Sequence, residues 1–199
     1  PGFSNMLASY LASCPSSNYD VKWASAKLPM WLRETEGSWS ETWNNLAVAD
    51  LVALELKRSA MYDAPDGSPP LPSTVLGEVS PDSWESLVIR LRPCVAILST
   101  SYDIWDAWLE GSEGLVPQSA PASMDCEYLV YRKGEDVFHE RLDTGEARLF
   151  KALAQGDSFA SACVAYADEG EVNSAVIQAV VTQLMHWFDK ELIQAIELN

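Results

Sequence analysis

The chain has 199 residues, 48% of them hydrophobic and 21% charged, a balance that excludes wholesale disorder and suits one domain or two small ones. Residues 1–125 carry 7 basic and 16 acidic side chains and residues 126–199 carry 6 and 13, so the net charge of −16 is spread along the whole length. Nucleic acid and anionic membranes both require basic surface, so neither is an expected partner, whereas a basic protein or peptide would be attracted.

No apolar run approaches the ~20 residues that cross a bilayer, and residues 1–30 lack a basic start followed by an apolar core. No membrane partner is expected, and the expected location is cytoplasmic. Cys14, Cys94, Cys126 and Cys163 form no close pair, which argues against a zinc knuckle or redox dithiol and for small, mostly buried side chains in a reducing compartment.

In chain order, residues 3–12 and 22–35 read as short helices, the second bent or ended early by Pro29. A polar break over 38–42 precedes a helix over 46–62 whose apolar face gathers Val48, Leu51, Val52, Leu54 and Tyr62. Glu55 projects into that face, and a buried carboxylate needs a partner; Arg90 and Arg92 are the expected ones. Residues 64–82 are turn-rich, and Ser80-Pro81 opens a short helix ending near Leu87. An extended segment over 88–92 and a helix over 101–109 close this half.

Residues 111–125 are rich in Gly, Ser, Pro and Ala and read as a linker between a helical domain over 1–110 and a module over 126–199. In that module, strands 128–132 and 137–141 flank a turn at Gly134. Asp143 and Glu146 resemble a capping box for a helix over 144–155 stopped by Gly156. Asp157 or Ser158 caps a second helix, Asn173 or Ser174 a third, and 192–198 returns as an edge strand. The expected fold is α+β, mostly α: an N-terminal helical domain followed by a winged-helix-like module.

Catalytic signatures are absent from the sequence. His139 and His186 are the only histidines and have no metal-ligand spacing; no G-x-S-x-G, P-loop or G-x-G-x-x-G occurs. No catalytic residue, metal site or cofactor is therefore expected in this chain. The eight tryptophans, Trp23, Trp31, Trp39, Trp43, Trp84, Trp105, Trp108 and Trp187, exceed ordinary usage and serve both cores and interfaces.

From Tyr19 to Leu198 the order of short motifs resembles a bacterial family whose label names a DNA-binding domain. Its members accompany multinuclear non-haem iron-dependent oxidative (MNIO) enzymes in ribosomal peptide (RiPP) maturation. The residues that carry the likeness are Ala49-Asp50-Leu51, Leu54-Glu55, Tyr62-Asp63-Ala64-Pro65 and Leu71. They continue in Ser80-Pro81-Asp82-Ser83-Trp84, Leu91-Arg92-Pro93 and Ser101-Tyr102-Asp103-Ile104-Trp105, then Asp143 through Phe150, Ala152-Leu153 and Gln155-Gly156. Two departures stand out: Arg92 occupies a position where the family often has histidine, and the preceding helical region is shortened to residues 1–18.

The resemblance implies a non-catalytic accessory subunit, forming a heterodimer with an iron-dependent oxidative enzyme that holds the iron. Such a subunit binds a ribosomally made precursor through its leader and presents it for modification, commonly at cysteine; a 3-thiaglutamate-type pathway is one such setting. The alternative is a winged-helix DNA-binding transcription regulator, whose third helix would here offer only Lys190 as a base. A stand-alone enzyme is a third class. An extended leader added to an exposed strand would be lined by Tyr128, Val130, Arg132, Val137, His139 and Arg141, with Ile177, Val181 and Leu184 from the third helix. Trp84, Tyr102, Trp105 and Trp108 would face the enzyme.

Overall fold

A computed structural model describes residues 2–16, 21–36, 39–40, 42–117, 119–168 and 170–198. The fold is α+β, with 52% helix against 21% strand, so helices dominate as the sequence implies. The helices are α1 (Phe3–Ser13), α2 (Leu28–Glu34), α3 (Asn45–Tyr62), α4 (Trp105–Ser112), α5 (Thr144–Gln155), α6 (Phe159–Ala167) and α7 (Ser174–Asp189). The strands are β1 (Leu87–Leu91), β2 (Val95–Asp103), β3 (Ala122–Lys133), β4 (Asp136–Leu142) and β5 (Ile193–Leu198). One sheet has the order β2-β3-β4; β1 and β5 pair separately as an antiparallel ribbon.

The C-terminal stretch follows its local signals. Asp143 accepts from the Glu146 amide at 2.7 Å and Glu146 accepts from the Asp143 amide at 2.9 Å, the reciprocal bonds of a capping box. Gly156 stops α5 in the left-handed region at φ +84°. Ser158 caps α6 and Asn173 caps α7 through their side-chain oxygens.

Elsewhere the structure corrects the expectation. Residues 22–35 do not form one helix: a 3-10 turn at Val21–Ser25 precedes α2, and Pro29 stands in the first turn of α2. Proline is tolerated there because a first-turn amide has no helical acceptor. The helix expected after Ser80 is only a 3-10 turn, Pro81–Ser83. Strand β2 has no counterpart among the expected elements, and it runs through Ser101 to Asp103, so α4 begins at Trp105. Positions 38 and 41 of the polar break lie outside the described residues.

The chain parts into two compact units, each built from two segments. The first comprises Pro1–Lys57 and Leu98–Cys126; the second comprises Arg58–Ile97 and Glu127–Asn199. Residues 111–112 finish α4 and 122–125 begin β3, so the segment read as a linker is partly ordered into both elements.

The first unit packs Met6 and Tyr10 of α1 against Leu28 and Leu32 of α2 and Ala49 of α3. Trp31 adds ring contacts to Tyr10 and Trp39, at 5.6 and 5.5 Å between centroids. The second unit has the larger core, where Leu129 and Tyr131 of β3 meet Leu149 and Phe150 of α5, Ala162 of α6 and Trp187 of α7. The β1–β5 ribbon closes it with Leu87, Ile89 and Ile193.

Candidate functional site

Side chains alternate across a strand, so register decides which of them share a face. In the β3–β4 pair, Tyr128 lies opposite Arg141, Val130 opposite His139, and Arg132 opposite Val137. These six residues occupy one face. Leu129, Tyr131 and Leu142 occupy the other, and it is this second face that joins the core with α5, α6 and α7. The strand residues expected to line a peptide groove therefore lie on the side of the sheet away from α7.

Their environments give several of them a packing role. Tyr128 and Val130 are fully buried. Arg132 donates to the Ala64 carbonyl at 2.7 Å and pairs with Asp66 at 2.9 Å, tying down the loop after α3. The His139 Nδ1 lies 2.9 Å from the Arg58 guanidinium, which can only donate, so Nδ1 accepts and the imidazole is neutral. Burial, and then the Arg58 charge, lower its pKa to about 4. Val137 is half-buried and Arg141 exposed.

On α7 the expected residues also divide. Leu184 is core, whereas Ile177 and Val181 reach an open apolar groove of about 550 Å³. Its remaining walls are Trp84, packed edge-on against Phe159 at 5.1 Å, with Cys163 and Val164 of α6. Val164 and Ile177 are 56% and 42% exposed although both are apolar. Trp84 thus shares a site with α7 residues, while Tyr102, Trp105 and Trp108 belong to the first unit. There the Tyr102 hydroxyl accepts from the Asn44 amide at 2.7 Å, and the Trp108 indole N–H donates to Glu55.

A second groove, about 600 Å³, runs beside β5. Gln194, Ile196 and Leu198 form one wall; Val75, Glu78 and Val79, from the 3-10 turn Ser73–Glu78 and its end, form the other. At one end the Leu71 amide donates to the Ile193 carbonyl at 2.9 Å, the first rung of a third strand that the turn then leads away. Among the described residues, Leu71 is the one residue outside β1 bonded main chain to main chain with β5; the Ser68 amide reaches only the Gln194 side chain, at 3.2 Å. Beyond Ile193, among the described residues, no third strand bonds the main chain of β5, and Gln194–Ile196 and Leu198 line the groove.

Glu55 is exposed, contrary to its place on the helical projection, and its partner is Trp108. Arg90 pairs with Glu197, and Arg92 donates to the carbonyls of Glu191 and Asp66. The buried carboxylate of α3 is Asp50, which sequence reasoning misses. It accepts from Arg33 at 2.6 Å and from the amides of Ser101 and Tyr102 at 2.8 and 3.0 Å.

The groove residues Phe159, Cys163, Val164 and Val172 are also missed as a set. A signal is present: α6 (FASACVAYA) is apolar nearly all round, more than one buried face requires. Among the described residues no group of three His, Cys, Asp or Glu side chains is placed to hold a metal ion, and no helix is long and apolar enough to cross a membrane. No family model matches the chain, and no curated protein matches it.

Proposed function

We propose that this chain is a non-catalytic partner subunit that binds the leader of a ribosomally made precursor peptide and presents it to an iron-dependent oxidative enzyme. The element order β3-β4-α5-α6-α7-β5 is read here as a winged-helix-like, peptide-recognising module. The observation that carries the reading is that β5, beyond Ile193, has no third strand bonded to it among the described residues and lies beside a groove lined in part by Val75, Val79 and Ile196.

An extended peptide laid along that edge gains main-chain hydrogen bonds, and its alternate side chains fall toward Val75, Val79 and Ile196. This moves the strand-addition site to β5 from a groove lined by both strands of the β3–β4 hairpin and by α7, as the sequence reading has it. Glu78 at the rim and the chain's net charge of −16 favour a lysine- or arginine-bearing leader. The same charge opposes a DNA-binding role. Lys190, the base at the end of α7, is already engaged by Glu140.

Calorimetric titration of the full chain with synthetic peptides covering the short open reading frames beside its gene tests the reading. One peptide is expected to bind, and Val79→Glu to weaken it about tenfold. Failure of every peptide, together with a salt-resistant shift of random duplex DNA, would favour the regulator instead.

A further inference from the structure

The apolar groove between α6 and α7 lies apart from the β5 edge and has a different chemistry. Its walls are helix faces, Val172 of the loop between the two helices and the Trp84-Glu85 segment; among the described residues no strand residue lines it. An extended chain entering it would find no open strand edge to bond, because helical backbone groups are already paired internally. A helix satisfies its own backbone and needs only side-chain complementarity, which is what this groove presents.

Three of the second unit's exposed large apolar side chains, Val164, Val172 and Ile177, cluster here rather than scatter. Contiguous exposed apolar surface of this kind marks an interaction site. Trp84 beside Phe159 supplies an aromatic anchor of the type that dominates interface energetics. The charge is one-sided: Glu85 lines the groove, Glu171 adjoins the lining residue Val172 in sequence, and among the described residues no lysine or arginine lines it.

We infer that the α6–α7 groove docks an amphipathic helix of a partner protein, with apolar residues at i, i+3, i+4 and i+7 and lysine or arginine along its margins. Docking here requires neither a peptide on β5 nor its absence.

The probe is a synthetic amphipathic helix of about 18 residues, leucine on one face and lysine elsewhere, titrated into the full chain by calorimetry with circular dichroism of the peptide. One-to-one binding with gain of helix is expected, weakened about tenfold by Val164→Asp or Ile177→Asp. Met185→Asp, exposed on α7 but outside the groove, should leave affinity unchanged. Val172→Lys, outside any helix, should repeat the loss without disturbing α6 or α7. Equal affinity across all variants, or equal binding of a scrambled peptide of the same composition, would reduce the interaction to charge attraction and overturn the inference. Self-association of the chain abolished by Ile177→Asp would overturn it in favour of a second copy.

Discussion

Arg33 reaches the carboxylate of Asp50 at 2.6 Å, and while the arginine side chain is 38% exposed that of Asp50 is fully buried. Burial pushes the Asp50 pKa up; the Ser101 amide, the Arg33 charge and the Tyr102 amide draw it back. The carboxylate thereby joins α2, α3 and β2 within the first unit.

Removing that carboxylate should destabilise the fold asymmetrically. Asp50→Ala leaves two amides without an acceptor, for a loss of about 3 kcal/mol. Asp50→Asn keeps one acceptor and leaves a guanidinium that water can reach, so about half that loss is expected. Glu55→Ala, at an exposed position, should cost less than about 1 kcal/mol. Urea denaturation of the three variants checks the order.

The contrast between Asp50 and Glu55 shows where sequence reasoning on α3 goes astray. The projection places the buried face at Val48, Leu51, Val52, Leu54 and Tyr62; Leu54 is fully covered, but so are Ala47, Ala49 and Asp50, whereas Val48, Leu51 and Val52 are half-buried and Tyr62 is exposed. Small alanines allow close approach of neighbouring elements and add little weight to a projection. Over residues 126–198 the signals are local: caps at Asp143, Ser158 and Asn173, and a turn at Gly134. The β1–β5 pairing joins segments more than a hundred residues apart, and nothing local to either encodes it. The two grooves depend on which apolar side chains the finished packing leaves uncovered, so α6 betrays only an excess of apolar residues.

His139 should make stability depend on acid. Its folded pKa, about 4, lies below the ordinary value of 6.5, so between those limits the unfolded chain takes up a proton that the folded one refuses. Stability from this group is complete above pH 6.5 and falls as the pH drops, by about 2.5 kcal/mol at pH 4.5. His139→Gln, which has no imidazole to titrate, should remove that part of the acid dependence. Urea midpoints of wild type and variant at pH 7 and 4.5 report it, since the carboxylates common to both cancel.

Gly67 sits at φ +68°, where a Cβ would come within 2.6 Å of both the Gln194 side chain and the Pro93 ring. The Gln194 Oε1 also accepts from the Ser68 amide at 3.2 Å, so this loop is held against β5. Gly67→Ala combines left-handed strain with overlap and should cost about 2 kcal/mol. Gly77 meets nothing within 4 Å and has no positive φ, so Gly77→Ala is the matched control, expected to be near neutral. Thermal unfolding of the pair separates them.

Hydrogen exchange on the full chain, with and without its bound precursor peptide, tests strand addition most directly. Slowing of amides in Gln194–Leu198 by about tenfold or more, with β4 unchanged, is the expected result. Protection confined to β4, or tight binding that leaves both strands exchanging at their free rates, would contradict it.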